Sequence, residues 1–200
     1  MVTIGVLALQ GSVIEHIEML NRIQGVQAIE VKTIEELDLI SGLILPGGES
    51  TTISKLMNNF GLLDPIRQKI IEGMPVWGTC AGMILLAKEI IGEDGMHLGV
   101  MDLSVRRNAF GSQLDSFTTS KVVQEVCNVE IPLVFIRAPW VERTSDKVTV
   151  LAQINDKIVA VEQDNMLATS FHPEITDNLC FHEYFARKAK IFKNIYKTHC

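Results

Sequence analysis

One tight turn constrains the fold of this chain more than any other feature. The segment Val76-Trp77-Gly78-Thr79-Cys80-Ala81-Gly82 joins a short apolar run to a second one, Met83-Ile84-Leu85-Leu86-Ala87. A strand, a Gly-x-Cys-x-Gly turn and a helix form the nucleophile-elbow pattern, here with sulfur in place of the serine oxygen. Both glycines are needed because a side chain at either position would collide with the strand or the helix that the turn joins.

Cys80 is therefore a candidate nucleophile. The pattern places its sulfur at the N-terminus of a helix, where the dipole and the free backbone N–H groups favour the reactive thiolate. A structural cysteine buried between two turn glycines is the alternative interpretation, and the turn alone does not decide between them.

A second segment favours the catalytic interpretation. The strand-like run Met166-Leu167-Ala168-Thr169-Ser170-Phe171 ends at His172, and Glu174 follows two residues later. A cysteine nucleophile requires a base, and the base requires a partner that fixes its tautomer. His172 and Glu174 have these two roles in the chain order expected for a doubly wound sheet. On its own, His-Pro-Glu is also typical of a strand that exits into a loop.

Alternating apolar runs and amphipathic segments predict an α/β fold in the first half of the chain. Strands are predicted over 3–9, 28–32 and 42–45, and helices over 49–59 and 63–72. A further helix follows Ser12, which we expect to cap it, with an apolar face of Ile14, Ile17 and Leu20. Continuous apolar strands in this order predict a three-layer, mostly parallel central sheet with helices on both faces.

The pattern changes between residues 95 and 163, where helical periodicity disappears. We expect antiparallel strands added to the central sheet over 121–129, 133–137, 147–154 and 157–162, with Asn155-Asp156 as one hairpin turn. A last helix is predicted from about residue 177 to 197.

The loop Pro46-Gly47-Gly48-Glu49-Ser50-Thr51-Thr52 follows a predicted strand. It therefore lies at the carboxyl edge of the sheet, where ligands bind in such folds. Paired glycines leave N–H groups free to face an anion, so this loop can supply an oxyanion-hole donor opposite the N–H of Ala81. A phosphate loop is excluded because the Gly-Lys-Ser/Thr ending is absent. A glycine turn with a Ser/Thr helix cap is compatible with either role.

Ile136-Arg137-Ala138-Pro139 ends a predicted strand in an arginine, whose guanidinium suits a carboxylate ligand. A structural ion pair is the alternative for a lone arginine. The net charge of −6 argues against nucleic acid or an anionic membrane as partner. The four cysteines form no CxxC pair and the histidines lack zinc-site spacing, so we expect free thiols, no metal and no cofactor.

The apolar runs are too short to span a bilayer, and residues 1–9 lack the basic start of a signal peptide. We therefore expect a cytoplasmic protein. The length indicates a single domain over residues 1–200.

Taken together, these segments resemble the class I (triad) glutamine amidotransferases, and more closely the glutaminase subunits of pyridoxal 5′-phosphate synthases. The resemblance extends over essentially the whole chain, through residues 5–11, 45–52, 77–82, 107–113, 135–139 and 171–174. The segments Gly47-Gly48-Glu49-Ser50-Thr51-Thr52 and Arg107-Asn108-Ala109-Phe110-Gly111-Ser112-Gln113 are the ones that indicate the narrower group. The resemblance implies a flavodoxin-like sheet.

The resemblance also implies the hydrolysis of L-glutamine to glutamate and ammonia. Cys80 would form a glutamyl thioester, His172 would transfer protons and Glu174 would orient His172. Gly48 and Ala81 would form the oxyanion hole. Glutamine would bind at Gly48, Glu49, Ser50, Arg107, Ile136 and Arg137.

A partner is implied as well. Ammonia would pass to a separate lyase/synthase subunit that builds pyridoxal 5′-phosphate, and docking in this hetero-oligomer would rearrange the Gly47-Gly48 loop. Two other interpretations remain: a DJ-1/PfpI-like cysteine protein, and a catalytically silent binding module. The position of His172-Pro173-Glu174 near the C-terminus argues against the first, and the intact Cys80, His172 and Glu174 argue against the second.

Overall fold

The computed structural model describes residues 1–95, 97–107 and 116–197. The strands are β1 (Val2–Leu7), β2 (Val26–Val31), β3 (Leu43–Leu45), β4 (Val76–Thr79), β5 (Ala87–Ile90), β6 (Met101–Arg106), β7 (Ser116–Val123), β8 (Cys127–Ile136), β9 (Trp140–Thr144), β10 (Thr149–Ile154), β11 (Lys157–Gln163) and β12 (Met166–Thr169). The helices are α1 (Val13–Asn21), α2 (Ile34–Asp38), α3 (Ser50–Asn59), α4 (Leu63–Ile71), α5 (Ala81–Leu86) and α6 (Cys180–Lys197), with a 3₁₀ turn at Pro173–Ile175.

The parallel half of the central sheet has the strand order β2-β1-β3-β4-β12. Every residue of β3, β4 and β12 is buried, because helices cover both faces of these strands. Successive residues point to opposite faces: Leu43 and Leu45 pack into one apolar cluster and Ile44 into the other. The predicted three-layer, mostly parallel arrangement is confirmed.

Antiparallel strands extend the sheet beyond β12, as expected. β11 pairs with β12, β10 and β9, and β9 pairs with β6. The β10–β11 hairpin turns at Asn155 and Asp156, whose φ angles of 48° and 62° fit a two-residue hairpin turn. None of the described helices is both long and apolar enough to cross a bilayer.

Two expectations about this half of the sheet are wrong. The strand predicted over 121–129 is interrupted by a turn at residues 124–126, and β7 and β8 pair with each other as a separate two-stranded sheet. Strands β5, β6 and β9 were not predicted at all. Their runs are short and mixed in polarity, so pairing with neighbours rather than local pattern makes them strands.

The expected apolar face of α1 is also only partly right. Ile14 is 62% exposed, whereas His16, Met19 and Leu20 face the interior. Ser12 occupies the N-cap position but makes no capping bond, since its hydroxyl donates to Glu174 instead. Polar partners inside the fold thus set the orientation of this helix, and a pattern of apolar residues does not reveal them.

The elbow glycines are required for the reason expected. A Cβ on Gly78 would lie 2.4 Å from the carbonyl carbon of Gly82. A Cβ on Gly82 would lie 2.1 Å from the carbonyl oxygen of Leu45 in β3. Because these neighbours are backbone atoms of the buried helix α5 and of the buried strand β3, they cannot move aside cheaply. The contact therefore sets how closely α5, and with it Cys80, approaches the strands.

We expect Gly82→Ala to destabilise the fold by about 3 kcal/mol or more, the upper end for forced overpacking. Gly61→Ala is the control, because Gly61 has a φ of +68° and open space around its Cα. The control should lose only about 1 kcal/mol, the cost of a left-handed alanine. Chemical denaturation followed by circular dichroism measures both values. Equal losses would contradict the steric role of Gly82.

Candidate active site

The candidate site lies at the carboxyl edge of four neighbouring parallel strands. Gln10 follows β1, the Gly47-Gly48 loop follows β3, Cys80 follows β4 and His172 follows β12. Adjacent parallel strands end at the same edge, so segments that are far apart in the chain converge there. The structure brings Cys80, Gly48 and His172 to one cavity, as the sequence predicted.

Cys80 occupies the turn itself, at the N-cap of α5. Its φ of 48° and ψ of −101° are rare for a residue with a side chain, and such backbone strain is concentrated at functional sites. The N–H of Cys80 donates to the carbonyl of Thr169 at 2.8 Å, which holds the turn against β12. The side chain is nearly buried, and its sulfur lies 3.9 Å from the carbonyl oxygen of Ile136.

His172 and Glu174 form the expected pair. Nδ1 of His172 lies 2.7 Å from Oε1 of Glu174, and the hydroxyl of Ser12 donates to the same oxygen at 2.7 Å. The intervening Pro173 begins the 3₁₀ turn, which brings the carboxylate back beneath the ring. Since Nδ1 is engaged by Glu174, the other ring nitrogen of His172 is left for Cys80.

Charge interactions reinforce this arrangement. Burial lowers the pKa of His172, but its contacts with Cys80 and Glu174 outweigh burial and raise that pKa to about 10. Burial raises the pKa of Glu174, while His16, His172 and Ser12 outweigh it and lower that pKa to about 2. At neutral pH His172 is therefore protonated and Glu174 ionised, a charge pair buried at the floor of the cavity.

The cavity in front of Cys80 has a volume of about 400 Å³. All of the residues proposed from the sequence to bind glutamine or to form the oxyanion hole line it, namely Gly48, Glu49, Ser50, Ala81, Arg107, Ile136 and Arg137. Further lining residues come from the loop after β1 and from α5 and the segment after β8. The space is large enough for a free amino acid.

Glu49 also caps α3. Its carboxylate accepts hydrogen bonds from the N–H and hydroxyl groups of Thr51 and Thr52, and Arg107 pairs with it at 2.9 Å. Burial alone would raise the pKa of Glu49, but these donors lower it to about 2. The helix cap expected from Ser or Thr is thus supplied by the preceding glutamate, whose longer side chain reaches the first-turn N–H groups.

The two arginines differ in their partners. Arg107 is held between Glu49 and Glu93, at 2.9 and 3.0 Å. Arg137 has a φ of 44° and an exposed side chain, and it makes no ion pair with the described part of the chain. The alternative of a structural ion pair therefore fits Arg107 and does not fit Arg137 within those residues.

Sequence reasoning missed several residues around the cavity. Oε1 of Gln10 accepts from the N–H of Glu49 at 2.8 Å, and a Cβ on Gly11 would lie 1.9 Å from the carbonyl oxygen of Gly47. This loop therefore packs backbone to backbone against the Gly47-Gly48 loop. Its place directly after β1, at the ligand-binding edge, was the signal that could have identified it.

His16 was missed because it lies inside a helix whose buried face was assigned to apolar residues. The part 108–113 of the segment that starts at Arg107 and carries the resemblance lies outside the described residues. Cys200, one of the four cysteines expected to be free, also lies outside them. Within the described ranges, no group of three or more His, Cys, Asp or Glu side chains is arranged to hold a metal ion.

A mostly parallel α/β sheet with a cysteine elbow, a His-x-Glu segment in contact with the cysteine and a cavity sized for an amino acid is the combination typical of the class I glutamine amidotransferases. Residues 6–191 match the model of the SNO glutamine amidotransferase family, and the chain belongs to this family. Glutamine amidotransferases take ammonia from the glutamine amide, so the chain is a glutamine-hydrolysing enzyme.

Individual relatives agree with this assignment. The chain is 55% identical over 184 residues to the pyridoxal 5′-phosphate synthase subunit PdxT of Thermoanaerobacter sp. (strain X514), covering 92% of this chain and 97% of the relative. It is 54% identical over 183 residues to the subunit of that name from Ruminiclostridium cellulolyticum, with the same coverage. A solved structure of a glutamine amidotransferase is 46% identical and superposes with a TM-score of 0.88 over 94% of this chain and 98% of that chain.

We expect Cys80→Ala to lower the pKa of His172 from about 10, because the sulfur is one of the two contacts that hold the proton on the ring. Because the pKa of His172 lies above its unfolded-state value of about 6.5, protonation of His172 stabilises the fold fully below about pH 6.5. This stabilisation is lost as the pH rises through the folded-state pKa of about 10. The titration of the His172 ring, followed by NMR, measures the change. Cys127→Ala, far from the cavity, is the control and should leave the titration unchanged; an unchanged pKa in Cys80→Ala would contradict the contact.

Proposed function

We propose that Cys80, His172 and Glu174 are the catalytic triad of this glutaminase. The observation that carries the proposal is the buried pair of His172 and Glu174, 2.7 Å apart, beside a cysteine held at a strained helix N-terminus. The same three residues also account for the raised pKa of His172. The rest of the cavity supplies the groups that a free amino acid requires.

The reaction follows from this arrangement in two halves. The thiolate of Cys80 attacks the amide carbon of glutamine, and the carbonyl electron pair moves to the oxygen, which the N–H groups of Gly48 and Ala81 stabilise. The tetrahedral adduct then collapses. The C–N bond breaks, His172 gives its proton to the leaving nitrogen, and ammonia departs, leaving a glutamyl thioester.

Water completes the cycle. His172, now neutral, takes a proton from the water that attacks the thioester carbon, and the C–S bond breaks to return the thiolate and release glutamate. Glu174 keeps Nδ1 of His172 protonated and the ring oriented throughout. The net reaction converts glutamine and water into glutamate and ammonia, with no cofactor.

Glutamine binding is proposed at Gly48, Glu49, Ser50, Arg107, Ile136 and Arg137. Arg137 suits the substrate carboxylate best, because it lies at the cavity and its guanidinium forms no ion pair with the described residues. Arg107 is better placed to hold Glu49 in position, since it already pairs with that carboxylate. The substrate ammonium would then face the acidic side of the loop at Glu49.

The proposed physiological role is delivery of ammonia to a pyridoxal 5′-phosphate synthase partner. It is supported by relatives named as subunits of that synthase, at 55% and 54% identity. We propose that residues 1–200 form one glutaminase domain of such a hetero-oligomer. The cytoplasm is the proposed compartment, because its reducing conditions keep the Cys80 thiol free.

Partner docking is proposed to complete the oxyanion hole. The carbonyl of Gly47 accepts from the N–H of Ser12 at 3.0 Å, and among the described residues this is the hydrogen bond that a docking partner would have to replace to rotate the Gly47–Gly48 peptide. Glycines make such a rotation inexpensive. An isolated subunit that misplaces the Gly48 donor would avoid wasting glutamine.

We expect glutamate release from L-glutamine to be slow in the isolated chain and to rise about 100-fold or more with a pyridoxal 5′-phosphate synthase subunit, which is the effect of aligning one oxyanion-hole donor. Cys80→Ala should abolish release in both conditions. A coupled glutamate dehydrogenase assay measures the rates. Strong release without the partner would remove the gating role while keeping the triad.

The two rival interpretations predict different labelling. 6-Diazo-5-oxo-L-norleucine, a glutamine-analogue electrophile, should modify Cys80 and no other cysteine, which mass spectrometry of the digested protein detects. A silent binding module would not react selectively. Added glutamine should slow the labelling of Cys80 in the proposed glutaminase, because it occupies the same cavity. In a DJ-1/PfpI-like protein glutamine would leave the labelling unchanged.

We expect Arg137→Ala to raise KM for glutamine by about 10- to 100-fold with little change in kcat, because one charged hydrogen bond to the substrate is lost in ground and transition states alike. Arg143→Ala is the matched control, since Arg143 is an exposed arginine paired with Glu89 away from the cavity. Steady-state kinetics of the complex measure both constants. An unchanged KM in Arg137→Ala would assign carboxylate binding elsewhere.

A further inference from the structure

Two buried histidines that the proposed mechanism does not use lie behind Glu174. His16 comes from α1 and His182 from α6, and neither is exposed to solvent at all. Nδ1 of His16 lies 3.0 Å from Nε2 of His182, a hydrogen-bonding distance. Fully buried imidazoles that bond each other are unusual enough in a small fold to require an explanation.

The second nitrogen of His16 faces the triad. Its Nε2 lies 3.5 Å from Oε2 of Glu174 and 3.2 Å from the hydroxyl oxygen of Thr79 in β4. Oε1 of Glu174 already accepts from His172 and Ser12. Oε2 is buried and accepts no hydrogen bond within the described part of the chain, so its 3.5 Å approach to Nε2 of His16 is a polar contact and not a hydrogen bond. His16 is therefore the group that the free carboxylate oxygen meets.

The direction of the hydrogen bonds follows from the carboxylate charge. A lone pair on Nε2 of His16 would be repelled by Oε2 of Glu174, so Nε2 carries the proton and points it at Oε2 and Thr79. Nδ1 of His16 is then an acceptor, and Nε2–H of His182 donates to it. This leaves Nδ1 of His182, which has no partner among the described residues, as an unpaired acceptor rather than a costlier unpaired donor.

Both rings are neutral in this arrangement. Burial lowers the pKa of His16 and outweighs the opposing effect of Glu174. Burial lowers the pKa of His182 well below its usual value. The other charged groups that act on the pair are His172 and Glu15 on His16, and Arg22 on His182. The pair therefore supplies an oriented dipole to Glu174 without adding a second positive charge to the site.

Packing prevents the two rings from turning. The indole of Trp77 in β4 meets His16 edge to face at 5.6 Å and His182 at 5.0 Å between ring centroids. Trp77 itself stacks on Phe181 of α6 at 6.1 Å and donates from Nε1 to Thr169 at 3.1 Å. Four elements thus hold the imidazoles in a single orientation relative to Glu174.

We propose that His16, supported by His182, is a positioning residue for the proposed triad, which fixes the Glu174 carboxylate so that Glu174 can orient His172. This inference rests on the proposed function. Neither histidine lines the cavity, so an effect on catalysis must pass through a neighbour of His16. The two neighbours of its Nε2 that lie close to the triad are Glu174 and Thr79, which precedes Cys80, and the Glu174→Ala background below separates these two routes.

The test compares His16→Phe, His16→Gln and His182→Phe in the complex with the synthase subunit. Phenylalanine keeps a ring of similar size and removes the N–H, whereas glutamine can restore a donor near the position of Nε2. We expect His16→Phe to lower kcat about 10-fold, because the polar contact at 3.5 Å that orients the Glu174 carboxylate is lost, with KM changed less than about twofold. His16→Gln should recover most of this loss, and His182→Phe should lose less than His16→Phe.

Two further readouts separate positioning from a structural role. The acid limb of the kcat/KM profile should move to higher pH in His16→Phe, because losing the His16 contact raises the pKa of Glu174. In a Glu174→Ala background, His16→Phe should have no additional effect on kcat, since the group through which it acts is gone. Thermal melting identifies a variant that does not fold, in which case His16→Gln and His182→Phe carry the comparison.

The results distinguish a failure of the proposed triad from a failure of the positioning role of His16. If the wild-type complex does not hydrolyse glutamine, or if the Cys80→Ala complex hydrolyses it equally well, the proposed triad is overturned and this inference with it. With an active, Cys80-dependent wild type, three results overturn the positioning role alone. These are an unchanged kcat in folded His16→Phe, a kcat in His16→Gln no higher than in His16→Phe, and a further loss of kcat when His16→Phe is added to Glu174→Ala.

Discussion

The buried carboxylate of Glu174 is the interaction on which the site depends. Removing a carboxylate from water is costly, and the fold offsets that cost with two hydrogen bonds, from Ser12 before α1 and from His172 after β12. A polar contact with His16 in α1, at 3.5 Å, adds to them. These contacts tie the first helix to the last strand of the parallel half. The result is a protonated His172 whose second nitrogen is directed at Cys80.

Close backbone packing is the second constraint, and it decides where Cys80 lies. Gly78 and Gly82 allow α5 to approach β3 and β4 so closely that a methyl group would not fit. The turn between them is then too short for an ordinary backbone conformation, so Cys80 adopts a positive φ. Strain at the nucleophile is thus the consequence of a tight contact elsewhere, and the surrounding buried sheet maintains it.

How much could be predicted differed between the two halves of the chain. In the parallel half, continuous apolar strands and glycine-marked loops determine both the elements and the edge at which the cavity forms, so Cys80, His172 and the Gly48 loop could be identified directly. In the other half of the sheet, β5, β6 and β9 are short and mixed in polarity, and their strand character depends on pairing with one another, parallel for β5 with β6 and antiparallel for β6 with β9. The separate β7–β8 sheet likewise reflects pairing that no local pattern specifies.

The sequence by itself determined the elbow, the His-x-Glu segment and the alternation of strands and helices along the chain, because glycine sterics and apolar periodicity act locally. Only the tertiary structure decided which way α1 faces. An apolar count favoured Ile14, but the interior holds a carboxylate to which Ser12 donates a hydrogen bond and against which His16 lies at 3.5 Å. Satisfying a buried charge is a long-range requirement, so it depends on which groups the folded chain brings together and not on the residues next to them in sequence.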